Sequence, residues 1–206
     1  MSLSIEHCDF LEQDVDRIYR QLSHVFEGGR ADRLAYYEHF STFFDAGDVV
    51  LDLGCGDGIF LETLAKKGIS AFGVDRDPDR ALCVDSKNAN IVVGDLLTCN
   101  IPVAGINALS LIHVIEHFQP DQIIRRICQL QREFDIRKIL IVTPNIGDAR
   151  VIENFWLDIT HVRPYPRALL VALLQAVGFN DVKSGYGNTG LDTLAFGSTQ
   201  MVTLVE

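Results

Sequence analysis

The stretch from Val49 to Phe60 reads VVLDLGCGDGIF and decides the fold expected for the whole chain. Its first five residues are apolar except for Asp52, as in a buried β-strand. A helix is predicted to begin near Ile59, after glycines at alternate positions, Gly54, Gly56 and Gly58. Glycine lets the backbone turn sharply and lets a ligand approach it closely. A strand, a glycine-rich turn and a helix in this order indicate an α/β domain that binds a ligand at the turn.

Outward from this stretch, apolar runs alternate with amphipathic segments. Four further strands are predicted over residues 70–74, 90–93, 106–111 and 138–142. Prolines mark the starts of intervening helices at Pro78, Pro120 and Pro166. This alternation predicts a mainly parallel sheet with helices on both faces. The tail alternates over residues 179–186 and 200–205, which predicts an antiparallel C-terminal hairpin at one edge of a seven-stranded, Rossmann-like sheet.

A single domain is expected, because 206 residues fill one core and are too few for two ordinary domains. Residues 1–45 are predicted to form an N-terminal helical cap, which a break at Gly28-Gly29 divides into two helices. Residues 46–206 are predicted to form the Rossmann-like core.

Charge and hydropathy exclude several kinds of partner. The formal net charge is −10 and the basic residues form no stripe, so nucleic acid is not expected to bind. The apolar runs are far shorter than the roughly 20 residues that span a bilayer, so no integral membrane segment is predicted. The amino terminus lacks the basic start and apolar centre of a secretory signal, and a cytoplasmic location is therefore predicted.

The five cysteines show neither CxxC pairing nor metal-ligand spacing to a histidine. His113 and His117 are four residues apart, but the sequence shows no third ligand for a zinc ion. No metal site is therefore predicted. Cys55, within the glycine-rich turn, is interpreted as a small residue beside a ligand rather than as a nucleophile.

Acidic residues stand at the ends of three successive strands: Asp52, Asp75 and Asp95. At the second of these positions a carboxylate can accept both hydroxyls of a ribose. At the third, the carboxylate can reach an adenine amino group while Leu96 packs against the ring. Such a set fits a cationic ligand that carries adenosine. A nicotinamide-dependent dehydrogenase is an alternative, although its usual turn is GxGxxG and the spacing here is GxGxG.

With VLDLGCGDG, GVD and GDL in this order, the chain resembles the class I S-adenosylmethionine-dependent methyltransferases over roughly residues 49–182. The resemblance implies that S-adenosylmethionine is the cofactor. It places Gly54, Gly56 and Gly58 around the methionine part, Asp75 at the ribose and Asp95 at the adenine. It also places His113, directly after the fourth strand, near the sulfonium. The predicted cofactor contacts are completed by Asp52, Cys55, Arg76, Leu96 and Arg30.

A narrower resemblance concerns the methyl acceptor. The segment TPN at 143–145 and the segment ENFWLDITHVRPYP at 153–166 look like methyltransferases encoded with bacterial polysaccharide and glycan assembly enzymes, including those that cap O-antigen chains. The amino-terminal FEGGR…DRLAYY is similar to the same branch. Ile159 replaces a proline usual in that branch, and Glu27 replaces an arginine, so the contact to the cofactor carboxylate is assigned to Arg30.

The catalytic candidates are Asp158, His161 and Arg163. A neutral sugar hydroxyl must lose a proton, and His161 oriented by Asp158 can accept it. A phosphate or carboxylate acceptor needs no base, and Arg163 would then bind the anion through its fork of donors while His161 donates a hydrogen bond. The alternative is that all three residues only tie their loop to the sheet.

The sequence therefore predicts an S-adenosylmethionine-dependent methyltransferase that modifies an oxygen of a sugar, a glycan or a glycan-linked phosphate. Two alternatives stay open. One is a methyltransferase that acts on a small metabolite or a protein, and the other is an inactive binding protein with the same fold. The fold does not determine which acceptor is methylated. The sequence gives no indication of the oligomeric state.

Overall fold

A seven-stranded sheet forms the centre of the molecule, with the strand order β3-β2-β1-β4-β5-β7-β6. A computed structural model describes residues 12–27, 29–82, 90–186 and 199–205. The strands are β1 Val49–Leu53, β2 Ser70–Asp75, β3 Asn90–Val93, β4 Ala108–Ile112, β5 Lys138–Pro144, β6 Val182–Tyr186 and β7 Gln200–Val205. The α-helices are α1 Glu12–Glu27, α2 Arg30–Phe40, α3 Ile59–Lys66, α4 Pro78–Leu82, α5 Pro120–Glu133, α6 Ala149–Leu157 and α7 Arg167–Ala176. Short 3-10 helices cover Ser41–Phe43 and Ile115–His117.

The first five strands are parallel, and the last two are antiparallel to their neighbours. β7 lies between β5 and β6, so the C-terminal hairpin closes the sheet with β6 at its edge. This arrangement confirms the predicted fold class. Residues 187–198, between β6 and β7, lie outside the described residues.

Alternate residues of the central strands enter two different cores. Leu51 and Leu53 of β1 pack in the larger core with residues of α5 and α7. Val50 packs in the second core with Phe40 of α2 and Phe60 of α3. Because successive side chains of a strand point to opposite faces, both faces of β1 are covered. The apolar run of β1 is thus explained by burial on both sides.

Most predicted boundaries agree with the structure within two residues. β4 begins at Ala108 rather than at Ile106, and Asn107 directly before it bonds to Val49, the first residue of β1. Its side-chain Oδ1 accepts a hydrogen bond from the backbone N of Val49 at 2.8 Å. None of the described helices has the length and apolar character needed to cross a bilayer. The cytoplasmic location stays a prediction.

The predicted N-terminal cap corresponds to α1, α2 and the 3-10 turn that follows them. Helix α2 packs on α3, where the rings of Tyr37 and Phe60 lie 5.4 Å apart. Gly29 is the N-cap of α2 and has an extended backbone, consistent with a break at this point. The assignment of residues 1–206 to a single domain, with its division after residue 45, stays a prediction.

Candidate active site

A cavity of about 620 Å³ lies at the carboxyl ends of the parallel strands. Open α/β sheets bind their ligands at this edge. One part of its wall, the glycine-turn side, contains Gly54, Cys55, Gly56, Asp75, Arg76, Asp95 and Leu96. The opposite part, the histidine side, contains His113, Glu116, His117, Asp158 and His161. The structure therefore brings most of the predicted site residues to a single cavity.

Helices α1 and α2 supply a further wall of this cavity through Tyr19 and Tyr36. The guanidinium of Arg80 in α4 lies 5.9 Å from the centre of the Tyr19 ring and donates a hydrogen bond to its hydroxyl at 3.2 Å. The Tyr36 ring stacks on the His113 ring with 5.9 Å between their centres. The cap thus contacts both sides of the cavity.

The glycine-rich turn is held in a conformation that a side chain would disturb. Gly54 has φ 77°, and a Cβ at this position would lie 2.5 Å from Cγ2 of Val114. The backbone N atoms of Gly54 and Cys55 both donate to the carbonyl of Val74, at 2.8 and 3.0 Å. Only glycine adopts this backbone without strain while leaving room for its neighbour. The turn is therefore fixed to the end of β2.

Asp75 and Asp95 face the cavity at the ends of β2 and β3. Oδ2 of Asp75 accepts a hydrogen bond from the backbone N of Gly56 at 2.7 Å, which ties the glycine turn to β2. Oδ1 accepts from the backbone N of Asp77 at 2.9 Å. A carboxylate has about four acceptor positions, so Asp75 can still accept from a ligand. Asp95 is held in the same manner, since Oδ1 accepts from the N of Leu97 at 2.7 Å.

Asp52 and Gly58 lie behind the cavity wall. Asp52 is buried, and its Oδ1 accepts a hydrogen bond from Oγ of Ser110 in β4 at 2.6 Å. Gly58 is the N-cap of α3, with φ 71°. Neither residue is among those that line the cavity, whereas the sequence predicted direct contacts to the cofactor. Burial raises the pKa of Asp52 to about 7.

This raised pKa gives a testable dependence of stability on pH in the unliganded protein. The unfolded carboxyl ionises near pH 3.8, and the folded one near pH 7. Between these values the folded state holds a proton that the unfolded state has lost, so stability falls as the pH rises. We expect Asp52→Asn to remove this fall, shifting the free energy of unfolding in the variant's favour by about 3–4 kcal/mol from about pH 4 to about pH 8.

Urea-induced unfolding of wild type and variant across this range measures the difference. Asp135→Asn is the matched control, because Asp135 is exposed and pairs with Arg137 on the surface. Parallel pH profiles for the wild type and Asp52→Asn would show that Asp52 is not protonated in the folded state.

Cys55 is buried beside the glycine turn, and a Cβ on Gly73 would lie 2.4 Å from its Sγ. Burial and the charges of Asp52 and Asp75 raise the pKa of the thiol. The thiolate is the nucleophilic form of cysteine. The environment therefore supports the interpretation of Cys55 as a small packing residue.

The predicted contact of Arg30 to a ligand needs correction. Arg30 is the first residue of α2 and is exposed, and its Nη2 donates to Oε2 of Glu62 in α3 at 2.6 Å. The residue one helical turn further, Arg33, lines the cavity instead and pairs with Asp57 of the glycine turn at 2.8 Å. The run DRLAYY contains Arg33, but the position of the helix start was needed to identify it.

His113 begins the histidine side in a strained backbone conformation. It follows β4 with φ 56°, in the left-handed region that residues other than glycine seldom adopt. Its Nε2 lies 2.7 Å from the hydroxyl of Tyr36. Its Nδ1 lies 3.3 Å from Oε1 of Glu116. In this conformation His113 lines the cavity, and its predicted place near the sulfonium stays a prediction.

Glu116 is a site residue that the sequence analysis missed. It is 0% exposed, lines the cavity and accepts a hydrogen bond at Oε2 from Oγ1 of Thr143 at 3.1 Å. Its backbone carbonyl accepts from the N atoms of Val162 and Arg163. Burial raises its pKa, but His113 and His117 more than offset this effect, so the pKa lies below its usual value. The run HVIEHF contains Glu116, but in the sequence only the four-residue spacing of its histidines suggests a site.

His117 is linked to Asp158 by hydrogen bonds through Thr160, and His161 lies close to the same carboxylate. Thr160 donates from Oγ1 to Oδ1 of Asp158 at 2.6 Å, and the same Oγ1 lies 2.8 Å from Nδ1 of His117. Nδ1 of His161 lies 2.6 Å from the carbonyl oxygen of Phe155, and Nε2 lies 3.6 Å from Oδ2 of Asp158. Burial lowers the pKa of His117. The structure thus brings Asp158 and His161 together, as predicted.

Arg163 does not join them, which is a second correction. Its Nε donates to the carbonyl of Pro164 at 3.4 Å, and its guanidinium lies 5.8 Å from the centre of the Tyr165 ring. It is not among the residues that line the cavity. The bond from its backbone N to Glu116 fixes the chain so that the side chain lies along the loop.

The family of the chain follows from its sequence. Residues 19–184 match the family described as methyltransferase domain. The chain belongs to this methyltransferase domain family. The membership confirms the predicted enzyme class, a methyltransferase that uses S-adenosylmethionine. A comparison with curated proteins finds no match.

Solved methyltransferase structures share the fold. An S-adenosylmethionine-dependent methyltransferase from Archaeoglobus fulgidus has a TM-score of 0.77 at 23% identity, over 91% of this chain and 98% of that protein. The plantazolicin methyltransferase BpumL, in complex with S-adenosylhomocysteine, has a TM-score of 0.66 at 17% identity, over 97% and 91%. CalO1, from calicheamicin biosynthesis and also bound to S-adenosylhomocysteine, has 0.64 at 18% identity, over 92% of this chain and 58% of its own. These likenesses concern the fold alone.

Proposed function

We propose that this methyltransferase transfers the methyl group of S-adenosylmethionine to a hydroxyl oxygen of a sugar or glycan. The observation that carries the proposal is the histidine side, where Glu116, His117 and His161 meet in the same cavity as the glycine turn. Carboxylates and neutral imidazoles accept protons. A hydroxyl acceptor needs such groups, because it must lose a proton as it is methylated.

The reaction balances with these groups. The acceptor oxygen attacks the methyl carbon, the new O–C bond forms as the C–S bond breaks, and sulfur keeps the electron pair to give S-adenosylhomocysteine. The hydroxyl proton passes to an imidazole nitrogen of the histidine side. Holding the two reactants in line supplies a large part of the rate, and the proton acceptor contributes typically about 10²- to 10⁴-fold.

In the absence of a bound cation, the charges of the histidine side favour a neutral acceptor over an anionic one. Glu116 and Asp158 are both buried here, and their carboxylates would repel a phosphate or a carboxylate. Arg163, the residue predicted to bind an anion, lies along its own loop. A sugar hydroxyl is therefore favoured over the glycan-linked phosphate, which stays the second candidate on the narrower sequence resemblance.

The glycine-turn side is the proposed position of the cofactor. Gly54 and Gly56 would lie against its methionine part, Asp75 would accept the ribose hydroxyls, and Asp95 with Leu96 would hold the adenine. Arg33 takes the role expected of Arg30 toward the cofactor carboxylate, since it lines the cavity. Gly58 and Asp52 would act indirectly, from behind the cavity wall.

The two arginines offer a direct comparison of cofactor binding. We expect Arg33→Ala to weaken the binding of S-adenosylhomocysteine by about 10- to 100-fold, the loss of a charged hydrogen bond to the carboxylate. Arg30→Ala is the matched control and should leave the Kd within about two-fold of wild type. Isothermal titration calorimetry measures both. Equal effects of the two substitutions, or a larger effect of Arg30→Ala, would contradict the assignment.

The acceptor class is tested with purified enzyme and S-adenosylmethionine against matched panels. Neutral sugars and oligosaccharides form one panel, sugar phosphates a second, and phenols, amines and carboxylic acids a third. Mass spectrometry of the product should show one added methylene mass on the neutral glycans and locate it on oxygen. Transfer to phosphate alone would favour the second candidate, and transfer only within the third panel would contradict the proposal. Binding of the cofactor without any transfer would favour an inactive binding protein.

A further inference from the structure

Three metal-binding groups face one another on the histidine side. Glu116, His117 and His161 each offer a ligand atom, and these atoms all lie within 4.8 Å of one another. Two imidazoles and one carboxylate form a common ligand set for Zn²⁺, Mn²⁺ and Fe²⁺. We propose that these residues hold a divalent cation of this class. Binding of the cation stands on the geometry alone, whereas its role in catalysis rests on the proposed function.

The protonation of His117 follows from its hydrogen bonds. The hydroxyl of Thr160 has one proton, which it donates to Oδ1 of Asp158. The same oxygen lies 2.8 Å from Nδ1 of His117 and must act as the acceptor there. Nδ1 of His117 therefore carries the proton and donates it. The other nitrogen of the neutral ring, Nε2, then has a lone pair. Hydrogen bonds of this kind, from a carboxylate through to the far side of an imidazole, orient histidine ligands in metal sites.

His161 is oriented in the same sense by a different partner. Its Nδ1 lies 2.6 Å from the carbonyl oxygen of Phe155, which can only accept, so Nδ1 again carries the proton. The Nε2 of this ring lies 3.6 Å from Oδ2 of Asp158 and has a lone pair when the ring is neutral. The two rings lie 4.8 Å apart between centres. The ligand atoms of the two histidines thus face the same small space as the Glu116 carboxylate.

Glu116 completes the set with an atom that lacks a hydrogen-bond partner. Its side chain is fully buried, and among the described residues nothing hydrogen-bonds to Oε1. Nδ1 of His113 lies 3.3 Å from this oxygen, but without the geometry of a hydrogen bond. A buried carboxylate oxygen without a partner is costly. A cation bound by Glu116 through this oxygen, together with the two histidines, would remove this cost.

The sequence alone could not suggest this arrangement. It showed His113 and His117 as a pair without a third ligand, and no metal site was predicted. The fold instead combines Glu116 and His117, after β4, with His161, in the loop after α6.

The cation would act on the acceptor hydroxyl. Three protein ligands leave positions open on such an ion, as in catalytic zinc sites. A hydroxyl oxygen bound there would be held beside the methyl group and would have a lowered pKa. With the cation present, His161 serves as a ligand, and the hydroxyl proton passes to water rather than to the imidazole. The methyl transfer itself balances as described above.

The binding test uses the full chain, freed of metal with a chelator. Separate calorimetric titrations with ZnCl₂ and MnCl₂ should show one equivalent of cation per chain for at least one of them, with a Kd in the micromolar range or below. Glu116→Gln, His117→Gln and His161→Gln should each raise this Kd by at least about 10- to 100-fold. His39→Gln is the matched control, since His39 lies on α2 outside the cluster, and it should bind as wild type does.

Thermal unfolding and titration with S-adenosylhomocysteine verify that each variant is folded. If Glu116→Gln does not fold, the cation affinities of His117→Gln and His161→Gln test the site. No stoichiometric uptake by the wild type, or equal uptake by every folded variant, would overturn the site.

The readouts separate this inference from the proposed function. Stoichiometric uptake that depends on the three residues, with no glycan methylated, would support the cation site and count against the proposed acceptor. Full methylation of a glycan in the presence of chelator, without uptake of metal, would support the acceptor and overturn the cation.

Discussion

Asp75→Ala should lower the affinity for S-adenosylmethionine and S-adenosylhomocysteine by at least about 100-fold. The substitution removes a carboxylate that faces the cavity and that would accept hydrogen bonds from the ribose. Hydrogen bonds to charged groups contribute about 1.5–3 kcal/mol each. It also removes the acceptor of the Gly56 backbone N, so the glycine turn loses its tie to β2. Both effects act on the cofactor and not on the acceptor.

Calorimetry with S-adenosylhomocysteine measures this loss. Asp135→Ala is the matched control, because it removes an exposed carboxylate paired with Arg137 outside the cavity, and its affinity should equal that of wild type. Asp75→Asn, which keeps one acceptor oxygen, should lie between wild type and Asp75→Ala. Unchanged affinity in a folded Asp75→Ala protein would show that Asp75 does not contribute to cofactor binding.

His161→Asn should have the opposite profile, with cofactor affinity kept and turnover lowered by about 10²- to 10⁴-fold. Its imidazole belongs to the histidine side, where it either accepts the hydroxyl proton or holds the proposed cation. Among the described residues, no hydrogen bond or ion pair links His161 to the glycine turn. The loss should therefore fall on kcat at saturating cofactor.

Single-turnover methylation and calorimetry on the same preparation separate the two effects. His39→Asn is the control for replacing a histidine, and it should leave both quantities unchanged. A parallel loss of cofactor affinity in His161→Asn would place His161 in the cofactor site. Unchanged turnover would show that it only ties the loop, through Phe155, to α6.

The cofactor side could be predicted because its information is local. The run from Val49 to Phe60 contains the strand, the turn and the helix start, and positive φ angles occur at Gly54, Gly56 and Gly58. Asp75 and Asp95 follow strands that are parallel neighbours of β1 or β2, so their convergence follows from the sheet. Alternating hydropathy likewise predicted the hairpin of β6 and β7.

The acceptor side depends on contacts between distant segments. Glu116 and His161 are 45 positions apart, and the backbone bonds from Val162 and Arg163 to the Glu116 carbonyl bring their segments together. The same bonds leave Arg163 along its loop, which no spacing in the sequence shows. The choice between Arg30 and Arg33 depended on the helix start. At Arg30, the first residue of α2, the side chain reaches Glu62 rather than the cavity.

A calorimetric titration of the purified protein with S-adenosylmethionine and S-adenosylhomocysteine, with NAD and NADP as controls, tests the assignment of the cofactor. With this assignment, we expect micromolar binding of the first two at one site per chain, and no binding of the nicotinamide cofactors. Failure of the folded protein to bind either of the first two, or binding of NAD or NADP in their place, would contradict it.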